Sequence, residues 1–173
     1  MILLVDSREK WTQQNSTDRH ISAYLERRGI EYKVQKLDVG DYALEGNPHI
    51  VVDRKQDLSE CASNLLTKRD SSRFWREVRR AHEQGIKLVI LVESGATAKT
   101  INDVAKWRSP YSRVTGRMLI NEMVRVEMAY GVVWKFCDRR STGRRIIEIL
   151  DGDSSESKLF DGDKATGQHD RSV

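Results

Sequence analysis

Long apolar runs are missing from this chain of 173 residues; none exceeds five, the length of Leu88–Val92. A helix that crosses a bilayer needs about 20 such residues, so the sequence offers no membrane span. Met1–Val5 lacks a basic leader and runs straight into Asp6, which argues against a secretory signal. An intracellular protein is expected, cytoplasmic if bacterial or phage-encoded and nuclear if eukaryotic. Cysteine is scarce too. Cys61 and Cys137 stand far apart with no metal-ligand spacing and read as buried free thiols of a reducing compartment. The four histidines, His20, His49, His82 and His169, show no ligand pattern, and no internal repeat is visible.

Charge is abundant, at 32% of residues against 38% apolar, the balance of a soluble domain large enough to bury a core. It is unevenly spread. Residues 151–173 hold six acids against three bases, a net of −3, leaving 27 bases against 20 acids, a net of +7, in residues 1–150. The expected organisation is one domain over 1–150 and an acidic, disordered tail over 151–173. A basic domain suits a polyanionic partner, although solubility alone also accounts for it.

Hydrophobic period and turn residues divide residues 1–150 into alternating elements. Strands are expected at 2–5, 31–37, 42–44, 49–53, 87–92 and 132–136. Helices are expected from Ser16 or Thr17 to Arg28, from Leu58, from Ser71 to Gly85, near 100–107, over 114–130 and over 142–150. This order predicts an α/β fold, a three-layer sandwich with a mixed central sheet flanked by helices.

Asp41 and Asp53 are two carboxylates on adjacent expected strands, joined by the short turn Glu45-Gly46-Asn47-Pro48, and Lys55 follows two residues later. Strand alternation sends Asp53 and Lys55 to one face and Arg54 to the other. Clustered carboxylates can hold hard divalent cations, and a neighbouring amine can orient water and balance charge. Those are the requirements for cutting a phosphodiester. Asp6 sits at a strand end, followed by Arg8 and Glu9. Single acids at strand ends are ordinary, so spacing alone leaves a structural reading open.

Three ordered motifs bear on that choice: Val5-Asp6-Ser7-Arg8-Glu9, Leu37-Asp38-Val39-Gly40-Asp41-Tyr42 and Val52-Asp53-Arg54-Lys55. In order and spacing they resemble the nuclease domain of the XPF-type structure-specific endonucleases, a branch of the PD-(D/E)XK superfamily. The resemblance covers about residues 2–136 and suggests a minimal, single-domain member of prokaryotic or phage type. It implies a restriction-endonuclease-like fold and a DNA endonuclease dependent on Mg²⁺ or Mn²⁺, acting on branched or otherwise structured DNA in repair or recombination. Asp6, Asp41 and Asp53 would be metal ligands, Arg8 would help hold the site, and Lys55 would be the catalytic lysine. Two positions depart from the family pattern. Asp53 stands where the family has glutamate, and Ser59 where it has a final aspartate, with Asp57 or Glu60 as substitutes. The competing readings are a catalytically inactive DNA-binding or scaffolding module and a restriction-type nuclease of the same superfamily.

Lys68, Arg69, Arg73, Arg76 and Arg80 crowd one helix and its entry loop, and Arg113 and Arg117 follow near Trp107 and Tyr111. They are candidates for backbone phosphates or, equally, for a solvated face. Trp107 and Tyr111 suit base stacking or packing. The resemblance also implies a homodimer, through the stripe Leu119, Met123, Val126 and Tyr130 or through Ile146, Ile147 and Leu150. Ordinary core packing explains both stripes as well.

Overall fold

The computed structural model describes residues 1–13, 16, 19–67 and 72–160, with Thr67 and residues 153–160 as backbone alone. Among these, six strands form one sheet: β1 (Ile2–Asp6), β2 (Glu31–Gln35), β3 (Tyr42–Leu44), β4 (Asn47–Lys55), β5 (Lys87–Glu93) and β6 (Val133–Cys137), in spatial order β2-β1-β3-β4-β5-β6. The sheet is mixed. β1 runs parallel to β2 and antiparallel to β3, β3 and β4 form an antiparallel hairpin, and β4, β5 and β6 are parallel.

Helices cover both faces, giving the expected three layers. One face packs under α2 (Leu58–Ala62, continued by a π turn over Ser63–Thr67), α3 (Arg73–Glu83) and α4 (Gly116–Tyr130), with Val51, Ile90 and Val92 meeting Leu65, Val78 and Met123. The other packs under α1 (His20–Arg28) and α5 (Thr142–Phe160), with Leu3, Val52 and Leu91 meeting Ile21, Leu25 and Ile146. The inner strand β5 is buried on both faces from Leu88 to Glu93, as expected for a strand flanked by parallel neighbours. Gly116 opens α4 where a Cβ would stand 1.8 Å from the Val104 carbonyl oxygen, so only glycine lets the helix start that close to the preceding 3₁₀ turn.

Several boundaries differ from the sequence reading. β2 stops at Gln35 because the Leu37 N–H turns aside to the Asp6 carboxylate, 2.7 Å away. α1 begins at His20, with Arg19 as a cap that offers no side-chain acceptor. α5 runs on past Leu150 to Phe160. Leu119, Met123, Val126, Ile146 and Leu150 are fully buried and Tyr130 and Ile147 half-buried, so both stripes pack chiefly into the core of the chain itself. Cys61 and Cys137 are free and buried. Among the described residues no helix is long and apolar enough to cross a membrane.

Candidate active site

Register builds the site across three neighbouring strands. Val5 pairs with Tyr42, and Tyr42 with Val52, so one position further along Asp6, Asp41 and Asp53 fall into a single row. Backbone bonds extend the row past the strand ends. The Asp6 N–H donates to the Asp41 carbonyl and the Asp41 N–H to the Val52 carbonyl, both at 2.8 Å. Tyr42 and Val52 enter the core under α1 and α5, and alternation turns Asp41, Asp53 and Lys55 to the opposite face.

There they line a cleft of about 570 Å³, together with Ser59 and Glu60 from α2 and Arg73 and Glu77 from α3. Asp53 is only 3% exposed. Its Oδ1 lies 2.5 Å from Lys55 Nζ. That contact is a close ion pair between the buried carboxylate and the ammonium. Asp41 Oδ2 accepts from the Arg54 N–H at 2.8 Å, and its Oδ1 is 3.9 Å from Arg73 Nη2. Burial pushes the Asp41 carboxyl well above its ordinary range. Repulsion from Asp53 and Glu9 adds to the rise, against the pull of Lys55 and the Arg54 N–H. Burial would lower Lys55, but Asp53 and Asp41 hold it above its ordinary value, so it remains an ammonium. Its Nζ sits 5.1 Å from the centre of the Phe74 ring.

Asp6 shares the row but not the cleft. It is fully buried. Oδ1 accepts from the Arg8 N–H at 2.9 Å and from Arg8 Nε, and Oδ2 from Arg8 Nη2 at 2.9 Å and the Leu37 N–H at 2.7 Å. Four donors fill the roughly four lone-pair directions of a carboxylate, so in this arrangement Asp6 has none to give a cation. Burial would raise its pKa, but Arg8 and the two backbone N–H groups outweigh that and hold it below 3.8. Arg8 does line the cleft, and it also reaches the Leu37 carbonyl at 3.1 Å and Glu77 Oε1 at 3.7 Å.

A model of the ERCC4 domain matches residues 5–147. The chain belongs to the ERCC4 domain family. Two solved structures share the fold of this ERCC4 domain. XPF from Aeropyrum pernix has 22% identity and a TM-score of 0.63, over 92% of this chain and 70% of that one. XPF from Aeropyrum pernix in complex with DNA has 19% identity and a TM-score of 0.61, over 96% and 76%. No curated protein matches the sequence.

The basic residues of this ERCC4 domain separate on inspection. Arg73 lines the cleft, whereas Arg76 is exposed beyond it. Arg80 Nη1 donates to the Asp38 carbonyl at 2.6 Å and so tethers the loop that leads to Asp41. Arg113 and Arg117 are exposed and do not line the cleft; Lys68 and Arg69 lie outside the described residues. Trp107 packs partly against the core, while Tyr111 is 88% exposed. Around Ser59, Asp57 caps α2 by accepting the Glu60 N–H at 2.7 Å, and Glu60 Oε2 accepts the Gln56 N–H at 2.8 Å. Glu77 escaped the sequence reading because it sits within the run of arginines, and its signal was being the one acid at helical spacing from Arg73. Glu9, Arg54 and Glu93, joined by ion pairs, were missed as a group, although Glu9 and Arg54 also reach the lining of the cleft. The alternation that separated Arg54 from its neighbours was the only hint.

Proposed function

We propose that this ERCC4 domain is a DNA endonuclease that hydrolyses phosphodiester bonds with the help of Mg²⁺ or Mn²⁺, on branched or otherwise structured DNA in repair or recombination. One observation carries the reading: Asp41, Asp53 and Lys55 converge in an open cleft where negative charge is incompletely matched. The Asp41 carboxyl, raised by burial and by repulsion from Asp53 and Glu9, signals a shortage of positive charge, and six acidic residues line the cleft against five basic ones. Among the described residues no three His, Cys, Asp or Glu side chains form a complete ligand set, and two carboxylates with solvent-filled positions suit Mg²⁺, which keeps several waters. Asp41 and Asp53 would hold the ion. When bound there, such a cation neutralises phosphoryl charge and makes water more acidic.

The remaining roles fall to the chain itself. Lys55, charged as it is, cannot take a proton from water, but it can donate hydrogen bonds that orient the attacking water or a phosphate oxygen. Asp6 acts at one remove, by fixing Arg8. Arg73, Arg76, Arg80, Arg113 and Arg117 supply cations for the DNA backbone. The DNA-bound XPF relative supports that partner. Incubation with flap, fork, four-way junction and plain duplex DNA, with Mg²⁺ or with EDTA, tests the reading. Cleavage of at least one branched substrate that stops in EDTA is expected. Binding without cleavage of any of them would leave a DNA-binding module instead.

A further inference from the structure

We propose that Arg73 is a catalytic residue, a guanidinium that grips the non-bridging oxygens of the phosphate being cut. It would not be merely one more cation along the DNA backbone. The assignment rests on the nuclease reading above and deepens it.

Arg73 is the first residue of α3 and its side chain lines the cleft. Its Nε donates to Glu77 Oε1 at 2.6 Å. Glu77 is itself buried and lies 3.7 Å from Arg8 Nη2, and Arg8 is locked onto Asp6. Charges therefore alternate along a ladder from the end of β1 to the start of α3, in the order Asp6, Arg8, Glu77, Arg73. The ladder fixes the guanidinium through one nitrogen and leaves the others facing the cleft. Nη2 is 3.9 Å from Asp41 Oδ1, too far for a hydrogen bond. Among the described residues, neither Nη group has a hydrogen-bond acceptor. At 43% side-chain exposure the group remains open to a substrate.

The other cations nearby are committed differently. Lys55 is paired with Asp53, Arg8 is held through both Nε and Nη2 by Asp6 and the Leu37 carbonyl, and Arg80 holds the Asp38 carbonyl. In hydrolysis the oxygen of water forms a new bond to phosphorus while the bond from phosphorus to one sugar oxygen breaks. The water yields a proton, the departing oxygen gains one, and negative charge gathers on the two non-bridging oxygens. A fixed guanidinium fork matches that pair of oxygens in a way that a single ammonium does not. Glu77 then serves as a positioning residue that aims the fork.

The test uses the whole chain, measuring single-turnover cleavage of a saturating branched DNA in Mn²⁺ and binding of the same DNA in Ca²⁺ over a range of salt. Arg73→Ala is expected to slow cleavage by about 10²- to 10³-fold, the scale of losing one preorganised donor. Affinity should fall less than about tenfold and the salt dependence of binding should shrink by about one phosphate contact. Arg73→Lys should not restore the rate. Glu77→Ala should slow cleavage with little change in affinity, and Glu77→Gln, which keeps the acceptor, should recover most of it. For Arg76→Ala, cleavage should fall only as far as binding does. Should Arg73→Ala fail to fold, Arg73→Lys carries the test, and it must lose at least about tenfold by the same reasoning. Wild-type chain that cuts while Arg73→Ala keeps within threefold of it, or full activity of Arg73→Lys, overturns the assignment alone. Wild-type chain that cuts nothing ends the nuclease reading and this assignment with it.

Discussion

Asp53 and Arg54 are neighbours on β4, yet they face two differently built sides of one sheet. On the reverse side Arg54, with a side chain 2% exposed, donates through Nε to Glu93 at 2.7 Å and meets Glu9 at 3.2 Å. Glu93 also accepts from the Thr142 hydroxyl at 2.7 Å and stands 3.3 Å from His20 Nε2. Glu9 accepts from the Tyr42 hydroxyl, which in turn accepts from Trp11 Nε1–H at 2.8 Å. Burial would lower the Arg54 pKa, but Glu93 and Glu9 raise it, so the ion pairs prevail. On the cleft side the same strand presents Asp53, paired with Lys55, beside an Asp41 carboxyl that Asp53 and Glu9 repel. Buried charge is tolerated where each member has a partner. Where carboxylates crowd and repel one another, a ligand's positive charge would be felt most strongly. The reverse side therefore holds the strand in place, and the cleft side carries the residues proposed for chemistry.

Substitutions can break that division. Asp41→Ala or Lys55→Ala should lower cleavage by at least about 10³-fold, roughly 4 kcal/mol of transition-state stabilisation, while DNA binding survives. The thermal midpoint of Asp41→Ala should hold or rise, since a buried carboxylate repelled by Asp53 and Glu9 has been removed. A fall of several degrees would erase the contrast. Glu93→Ala should do the reverse and cost about 3 kcal/mol of unfolding free energy by denaturant titration, because it removes one of the two carboxylates that pair the buried Arg54 guanidinium. If it unfolds no more easily than wild type, the reverse network is not structural.

Asp6 sharpens the comparison, because it lies in the row of the site yet is satisfied like the reverse side. Its folded pKa is depressed, so its contribution is present above the unfolded value of 3.8 and is lost as pH falls below it. Asp6→Asn should cost about 2 kcal/mol at neutral pH, the scale of hydrogen bonds to a charged group. The gap from wild type should close as pH falls below 3.8 in acid-unfolding curves. A gap that stays constant with pH would show that the charge of Asp6 does not matter.

The row of aspartates was legible in the sequence because strand alternation and a short hairpin are local rules. The spacing from Gly40-Asp41-Tyr42 to Val52-Asp53-Arg54-Lys55 suffices to bring two acids and an amine to one face. What Asp6 does with its oxygens was not legible, since the Leu37 N–H that takes one of them arrives 31 positions later. Arg73, Arg76 and Arg80 look alike as a helical stripe. Glu77 one turn along the helix sets Arg73 apart, and only the tertiary placement of Asp38 does the same for Arg80. The start of α1 was misjudged for a related reason, since Ser16 and Thr17 have good capping chemistry but the helix starts beyond them.

Gly40 has a consequence of its own. Its φ is +68°, and a Cβ there would stand 3.0 Å from the Val52 carbonyl oxygen and 3.3 Å from the Val51 Cβ. The residue that has no side chain thus acts as a gauge for the gap between two carboxylates carried by the chain on either side of it. A methyl group at this position would wedge the hairpin apart and change the separation of Asp41 and Asp53 without touching either carboxylate.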